Sequence, residues 1–244
     1  MLNLVRRVEE ISLNALPAFN TTCYDGWLLR SAEGFTNRAN SVNMLYTGEL
    51  PIDKKIAYCE RFYARLSLPT VFKVTPLSME IDAALDKCDY SRVTPTTVMT
   101  AELTKTSAKN LLSNVEVGIS ARWQDSYFRI SGLRETAIPL AKKVYGSILE
   151  KCLCATITVS GEIVACGLCV VEGAYAGLFD ISVSPEHRRC GYGQDICVSL
   201  TNAALDCGAK TAYLQVVSDN VGAVWLYEKL GFKDTYKYWY RVKM

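Results

Sequence analysis

The chain has 244 residues, half of them apolar and 21% charged, with a formal net charge of +2. This length and composition are ordinary for a globular protein of one large or two modest domains. The small net charge argues against a nucleic-acid or membrane surface. Because the chain also has neither a bilayer-spanning apolar run nor a signal-peptide core at its N-terminus, the sequence predicts a cytoplasmic protein without membrane or nucleic-acid partners.

The first half of the chain predicts helices and strands in mixed order. Apolar residues at helical spacing indicate helices, and short apolar runs bounded by turn residues indicate strands. In chain order, the predicted elements are a helix at 4–16, strands at 26–30 and 39–45, a helix at 51–66, a strand at 70–74, a helix at 79–87 and a strand at 96–103. Polar residues 104–110 lack periodicity and predict a domain boundary, with 111–119 as the connection.

The second half predicts a similar order of elements. These are a helix at 136–149, a strand at 178–183, a helix at 195–206 that ends before Gly208, a strand at 211–217, a short helix that begins at Asn220 and a strand at 236–242. In both halves a strand is followed by helix, strand, helix and strand, which favours an internal duplication. We therefore expect two domains, 1–110 and 111–244; an unrelated α+β domain in the first half remains an alternative, because element order alone is a weak signal.

The turn from Ser184 to Gly193 closes an apolar strand and opens a helix. The glycines of Gly191-x-Gly193 allow close approach of a ligand to the backbone, and the N–H groups of a helix's first turn lack intrahelical partners. Together with Arg188 and Arg189, these donors favour an anion such as a phosphate. A dinucleotide-binding turn fits less well, because Ile196 stands where the third glycine belongs, and a Gly-Lys-Ser/Thr loop is absent from the sequence.

A second motif follows at a characteristic distance. Arg188-x-x-Gly191-x-Gly193, followed by Asn220-x-x-Ala223-x-x-Leu226-Tyr227 and then Gly231-Phe232, resembles the acetyl-CoA-binding core of the GNAT N-acetyltransferase superfamily. The resemblance implies an α+β fold with a mixed sheet, two GNAT-like domains in tandem as in a group of bacterial proteins, and acetyl-CoA as co-substrate without a metal. Residues 47–54 stand where the first copy would carry its loop and lack the glycine pair and the arginines, which implies a degenerate N-terminal copy and one cofactor site.

The resemblance also implies roles for individual residues. The implied cofactor-binding residues are Ile181, Ser182, Val183, Arg188, Arg189, Cys190, Gly191, Tyr192, Gly193 and Asn220. Tyr227 resembles the tyrosine that protonates the coenzyme A thiolate, and Asp180 is a candidate general base. Each has a structural alternative: Asn220 as a helix N-cap, Tyr227 as a core tyrosine, and Asp180 as a residue that orients its neighbours. The base remains open, with Glu172, Asp25 and Glu33 as further candidates.

The expected reaction is direct acetyl transfer to a primary amine of a small molecule or peptide, by a monomer or homodimer. A non-catalytic acyl-CoA-binding or sensing module is the alternative, because no base is evident and one copy is degenerate. Cys152-x-Cys154 and Cys166-x-x-Cys169 have the spacing of a zinc site, but they fall in strand-like alternation. We therefore expect reduced, buried cysteines and no metal.

Overall fold

A computed structural model describes residues 2–105 and 111–243. The helices of this part of the chain are α1 (Leu2–Ala15), α2 (Ile52–Arg65), α3 (Asp82–Lys87), α4 (Ala121–Ser131), α5 (Ile138–Gly146), α6 (Tyr192–Asp206) and α7 (Val221–Lys229). Its strands are β1 (Asn20–Tyr24), β2 (Trp27–Ser31), β3 (Val42–Met44), β4 (Thr70–Val74), β5 (Ser91–Glu102), β6 (Asn114–Val117), β7 (Lys151–Val159), β8 (Glu162–Glu172), β9 (Tyr175–Val183), β10 (Thr211–Val217) and β11 (Lys233–Lys243). None of these helices is long and apolar enough to cross a bilayer.

Most predicted elements are present, but β1, β6 and α4 were not predicted. Strands β1 and β6 have no fully buried residue, so they carry no apolar alternation that sequence analysis could detect. The predicted connection at 111–119 contains β6, and most of the predicted boundary at 104–110 lies outside the described residues. The helix predicted at 136–149 is shorter, because residues 135–137 form a 3₁₀ turn before α5.

The chain forms two compact units that interleave along the sequence. The first comprises Met1–Thr97, Val217–Asp219 and Tyr236–Met244, and the second comprises Val98–Val216 and Asn220–Thr235. The last residues belong to the first unit because β11 pairs with β4, from Trp239↔Val74 to Lys243↔Thr70. The domain boundary expected after residue 110 stays a prediction, since residues 106–110 are not described.

In the first unit, the strands lie in the order β1-β2-β3-β4-β11. The pairs are antiparallel except β3 and β4, which are parallel and joined through α2. One face of this sheet carries a buried ion pair: Lys73 Nζ lies 2.6 Å from Glu9 Oε2, and Tyr236 donates a hydrogen bond to Glu9 Oε1. The carboxylate of Glu9 is thus satisfied by groups from β4 and β11, as a buried charge requires.

In the second unit, β10-β9-β8-β7-β6 are consecutive, with β5 on the other side of β10. Strands β6 to β9 pair antiparallel with their neighbours, whereas β9 and β10 are parallel and are joined through α6. Helix α6 contributes Ile196, Leu200 and Ala204 to the core, where Leu178 of β9 and Leu214 of β10 also lie. The core therefore fixes the start of α6 beside the end of β9.

The two units share an internal order. Strands β1 to β4 have the same neighbours and directions as β7 to β10. Both series begin with a two-residue hairpin turn, Asp25-Gly26 in one and Ser160-Gly161 in the other, with positive φ at both turn residues. This correspondence supports the internal duplication that element order favoured.

Candidate functional site

Strands β9 and β10 separate at their C-terminal ends. Their parallel pairing runs from Tyr175↔Thr211 to Leu178↔Leu214 and does not continue in the described residues. The segment from Ile181 to Val183 therefore keeps its hydrogen bonds with β8 but has an open edge toward β10. Parallel strands that diverge leave N–H and C=O groups available to an extended ligand. Ile181, Ser182 and Val183 lie at this opening, as sequence analysis expected of a cofactor strand.

A β-bulge accompanies the separation. Between the pairs Leu168↔Phe179 and Cys166↔Ser182, β9 has two residues where β8 has only Gly167. Asp180, the first of the two, has φ +56°, which is uncommon for a residue with a side chain. Gly167 is required for close packing here, because a Cβ on it would lie 2.6 Å from atoms of both Ile181 and Ile196.

The predicted anion turn connects this strand to α6. Residues 185–187 form a 3₁₀ turn in which Ser184 Oγ and His187 Nδ1 lie 2.9 Å apart. Gly191 then adopts φ +82° and α6 begins at the next residue. The first backbone N–H after it to find a helical acceptor is that of Asp195, which donates to Gly191 O at 3.0 Å.

The N–H groups of residues 189–194 have no acceptor among the described residues, and this makes the turn electropositive. Arg188 and Arg189 are exposed and form no ion pair in the described part of the chain; Arg188 Nε only approaches Val183 O, at 3.5 Å. Cys190 is also exposed, and its thiol faces Arg188 O at 3.6 Å. The structure thus brings the predicted loop residues together as a set of unsatisfied donors and cations, which is suited to a phosphate.

Helix α7 lies beside this turn. Gly193 packs against it, since a Cβ there would lie 3.4 Å from Leu226 Cδ2. Asn220 caps α7: its side-chain oxygen accepts a hydrogen bond from Ala223 N at 3.2 Å, which confirms the N-cap interpretation. Its side-chain amide makes no hydrogen bond with the described residues and is available to a ligand.

Tyr227 lies on the inner side of α7. It is partly buried against the core of the second unit, with its ring edge toward Phe232 at 6.0 Å between centroids. Burial, with a smaller effect of the nearby Cys197 thiol, raises the pKa of the Tyr227 phenol well above its ordinary value. The hydroxyl therefore remains protonated at neutral pH and can serve as a proton donor.

Asp180 has two partners that sequence analysis missed. Tyr127 of α4 donates a hydrogen bond to Asp180 Oδ1 at 3.0 Å, and Tyr145 of α5 donates one to Oδ2 at 2.8 Å. Helix α4 has signals that could have revealed it, an N-cap at Ser120 and a left-handed glycine, Gly132, at its end. Tyr127 is placed at the site by this helix, where its ring stacks on Trp123.

Among the other candidate bases, Glu172 is not at the open edge of β9. Glu172 pairs with Tyr175, so it lies at the opposite end of β9 from Val183. Asp25 and Glu33 belong to the first unit. Asp25 is moreover fully engaged within that unit, and the Lys55 ammonium at 2.8 Å, with two backbone N–H groups, lowers its pKa to about 2.

The same carboxylate lies against the turn that precedes α2. Glu49 N and Leu50 N donate hydrogen bonds to Asp25 at 2.9 and 3.0 Å, just before α2. A side chain at Gly48 would overlap Asp25. The backbone N–H groups of Glu49 and Leu50, in the turn before α2, are therefore satisfied by a residue of the same unit.

The cysteines proposed as a zinc pattern are free thiols inside the sheet. Burial raises the pKa of Cys152 to about 11 and of Cys166 to about 12, and it raises those of Cys154 and Cys169 as well. Within residues 2–105 and 111–243, no group of three His, Cys, Asp or Glu side chains is arranged to hold a metal ion.

Comparison with known sequences gives one family and several relatives. The family model described as "Probable histone acetyltransferase Rv0428c C-terminal" matches residues 3–241. The chain is 31% identical over 249 residues to the uncharacterized N-acetyltransferase YobR of Bacillus subtilis, covering 98% of each protein. It is also 32% identical over 102 residues to the [ribosomal protein bS18]-alanine N-acetyltransferase of Escherichia coli (strain K12), covering 41% of this chain and 69% of that one.

Solved structures with similar backbones include two that span nearly the whole chain. A GCN5-related N-acetyltransferase from Kribbella flavida superposes with a TM-score of 0.72 at 15% identity, covering 98% of this chain and 95% of that one. A tandem GNAT protein from the clavulanic acid biosynthesis pathway gives a TM-score of 0.64 at 12% identity, with 97% and 87% covered. At these identities the likeness concerns the fold alone.

Proposed function

The chain belongs to the family of the Rv0428c C-terminal region and is an acetyltransferase with the GNAT fold; from this premise we propose that it transfers the acetyl group of acetyl-CoA to a primary amine. The observation that carries the proposal is the turn before α6. Among the described residues, the N–H groups of 189–194 have no acceptor, and the neighbouring Arg188 and Arg189 form no ion pair. A diphosphate is the ligand that such a turn favours, because it offers several anionic oxygens to donors and cations at once.

In this proposal each part of the site holds a different part of the co-substrate. Arg188, Arg189 and the backbone from Cys190 to Gly193, including Tyr192, would hold the pyrophosphate. The open edge at Ile181, Ser182 and Val183 would pair with the pantetheine arm, and the free amide of Asn220 would reach the same arm. Thioester and amine are thereby held together, which removes much of the entropic cost of their encounter.

The chemistry then requires two proton transfers. The amine nitrogen attacks the thioester carbon, the carbon–sulfur bond breaks, and the leaving thiolate takes a proton from Tyr227. Its hydroxyl is protonated at neutral pH, as a general acid must be before it donates. The amine proton must leave by another path, for which Asp180 was the first candidate; its two phenol hydrogen bonds leave neither carboxylate oxygen unoccupied.

We assign this reaction to the residues of the C-terminal copy within 111–244 and no cofactor site to the N-terminal copy within 1–110. The support is Asp25, whose carboxylate accepts hydrogen bonds from the backbone N–H groups of Glu49 and Leu50 in the turn before α2. One molecule of coenzyme A is therefore expected to bind per chain.

Calorimetric titration of coenzyme A tests the site. Gly191→Glu places a carboxylate in the turn at a position with φ +82°, so we expect binding to be lost through charge repulsion and strain. Gly208→Glu is the matched control, because Gly208 also has positive φ and open space around it but follows the far end of α6. Equal binding heats for wild type and Gly191→Glu would contradict the proposal.

The acceptor is tested separately. Thiol release from acetyl-CoA would be followed with a panel that includes polyamines, amino acids and a short peptide with N-terminal alanine, the residue named for the Escherichia coli relative. Acetylated product identified by mass spectrometry supports transfer to a small molecule or peptide. If the protein binds coenzyme A but no amine of the panel causes acetyl-CoA to be consumed, the alternative, an acyl-CoA sensor, is favoured. This alternative stays open because no general base has been identified.

A further inference from the structure

The feature that the proposed reaction leaves unexplained is the environment of Asp180. It stands at a β-bulge in the left-handed region, with φ +56°, one residue before the open edge of β9. Bulges of this kind re-aim the backbone that follows them, and they persist only where surrounding contacts hold them. The conformation at Asp180 thus determines which way the backbone groups of the next three residues face.

The contacts that hold Asp180 come from two different helices. Tyr127 of α4 and Tyr145 of α5 donate one hydrogen bond to each carboxylate oxygen, at 3.0 and 2.8 Å. Tyr145 is buried, and its ring meets Trp123 edge-on at 5.9 Å between centroids. Tyr127 stacks on the same Trp123 ring, at 5.5 Å and 13° between planes. Packing on Trp123 therefore fixes the positions of both phenols independently of their hydrogen bonds to the carboxylate.

We infer that Asp180 is a positioning residue: its carboxylate, held by Tyr127 and Tyr145, fixes the bulge of β9 and thereby the backbone of residues 181–183 for the cofactor. This inference rests on the proposed function, because it concerns the strand edge assigned to the pantetheine arm. Hydrogen bonds to a carboxylate are stronger than those between neutral groups, so two of them can stabilise an unfavourable φ.

Substitutions at residue 180 separate the backbone conformation from the side-chain contacts. Glycine accepts positive φ without strain but loses both hydrogen bonds, whereas asparagine tolerates this region and keeps one acceptor. We expect Asp180→Gly to weaken acetyl-CoA binding by about tenfold or more in calorimetry. Asp180→Asn is expected to recover most of the affinity. Asp180→Gly with wild-type affinity would overturn the inference, because the backbone conformation alone would then suffice.

The two tyrosines provide an independent test. Tyr127→Phe and Tyr145→Phe each keep the aromatic ring and remove one donor, so each should weaken acetyl-CoA binding, and the pair should add nothing further to Asp180→Gly. Tyr46→Phe is the matched control, because it removes a phenol–carboxylate hydrogen bond, to Glu10, on the exposed surface of the first unit. Additive losses in the triple variant would show that the tyrosines act elsewhere and would overturn the inference.

Amide hydrogen exchange of the cofactor-free protein distinguishes this inference from the proposed function. Asp180→Gly should speed exchange at residues 181–184, including Ser184 N, which donates to Val164 O, while Tyr46→Phe leaves it unchanged. If wild type binds no acetyl-CoA but exchange responds in this way, the proposed function fails and the positioning role stands. If wild type binds acetyl-CoA and exchange does not respond, the positioning role fails alone.

Discussion

At the scale of a single residue, burial of Tyr227 affects the proton that its phenol carries. Its raised pKa means that the neutral form persists over the whole range in which the protein would work. We expect Tyr227→Phe to lower kcat by about a hundredfold, the usual contribution of a general acid, since only the hydroxyl is removed. Steady-state kinetics with the fastest amine of the panel would measure this loss.

The control for this prediction is the affinity of the Tyr227→Phe variant for coenzyme A. Because the ring packs against the core near Phe232, phenylalanine preserves that contact, and the affinity for coenzyme A should remain that of wild type. A variant that retains full turnover at every pH would exclude the acid role and leave Tyr227 as a core tyrosine.

At the scale of one element, the turn before α2 is held by the carboxylate of Asp25. The backbone donors of Glu49 and Leu50 face the carboxylate of Asp25, and Lys55 of α2 contacts the same group. These contacts lower the Asp25 pKa from 3.8 to about 2, so folding favours its ionised form. By linkage, this contribution to stability is complete above pH 4 and is lost as the pH falls toward 2.

Asp25→Asn tests this contribution through its pH dependence. Near pH 6 the variant should unfold at lower urea concentration than wild type, and the difference should shrink between pH 4 and pH 2. Chemical denaturation across that range, followed by circular dichroism, gives both curves. A difference that does not change with pH would show that the charge of Asp25 plays no part in holding the loop.

Elements with a clear period were predictable, and those whose place depends on distant neighbours were not. The strands at 70–74 and 211–217 follow from apolar runs between turns, and the turn before α6 follows from its glycines. The hydrogen bonds of Asp180 could not be predicted from the sequence, because they join residues 35 and 53 positions apart and one of them comes from a helix that was not predicted. Residue type could indicate a carboxylate near the site, but only tertiary structure shows that both its oxygens are occupied.

At the scale of the molecule, the repeated strand order is combined with units that interleave along the sequence. Strands β1 to β4 repeat the order of β7 to β10, yet the strand beside β4 is β11, from the far end of the chain. The first unit therefore depends on residues that a division of the sequence into halves would assign to the second. Its buried ion pair depends on them too, since the Tyr236 hydroxyl satisfies Glu9.

This dependence predicts how fragments behave. A fragment of residues 1–110 lacks the partner of β4 and leaves one oxygen of the buried Glu9 without its donor, which costs about 1–3 kcal/mol beyond the lost strand packing. We expect it to show no cooperative thermal unfolding alone and to gain such a transition when a peptide of residues 233–244 is added. The same peptide carrying Tyr236→Phe is the matched control and should restore less stability. A fragment that unfolds cooperatively without the peptide would mean that the first copy is complete within residues 1–110, because β11 would then add only to an already folded sheet.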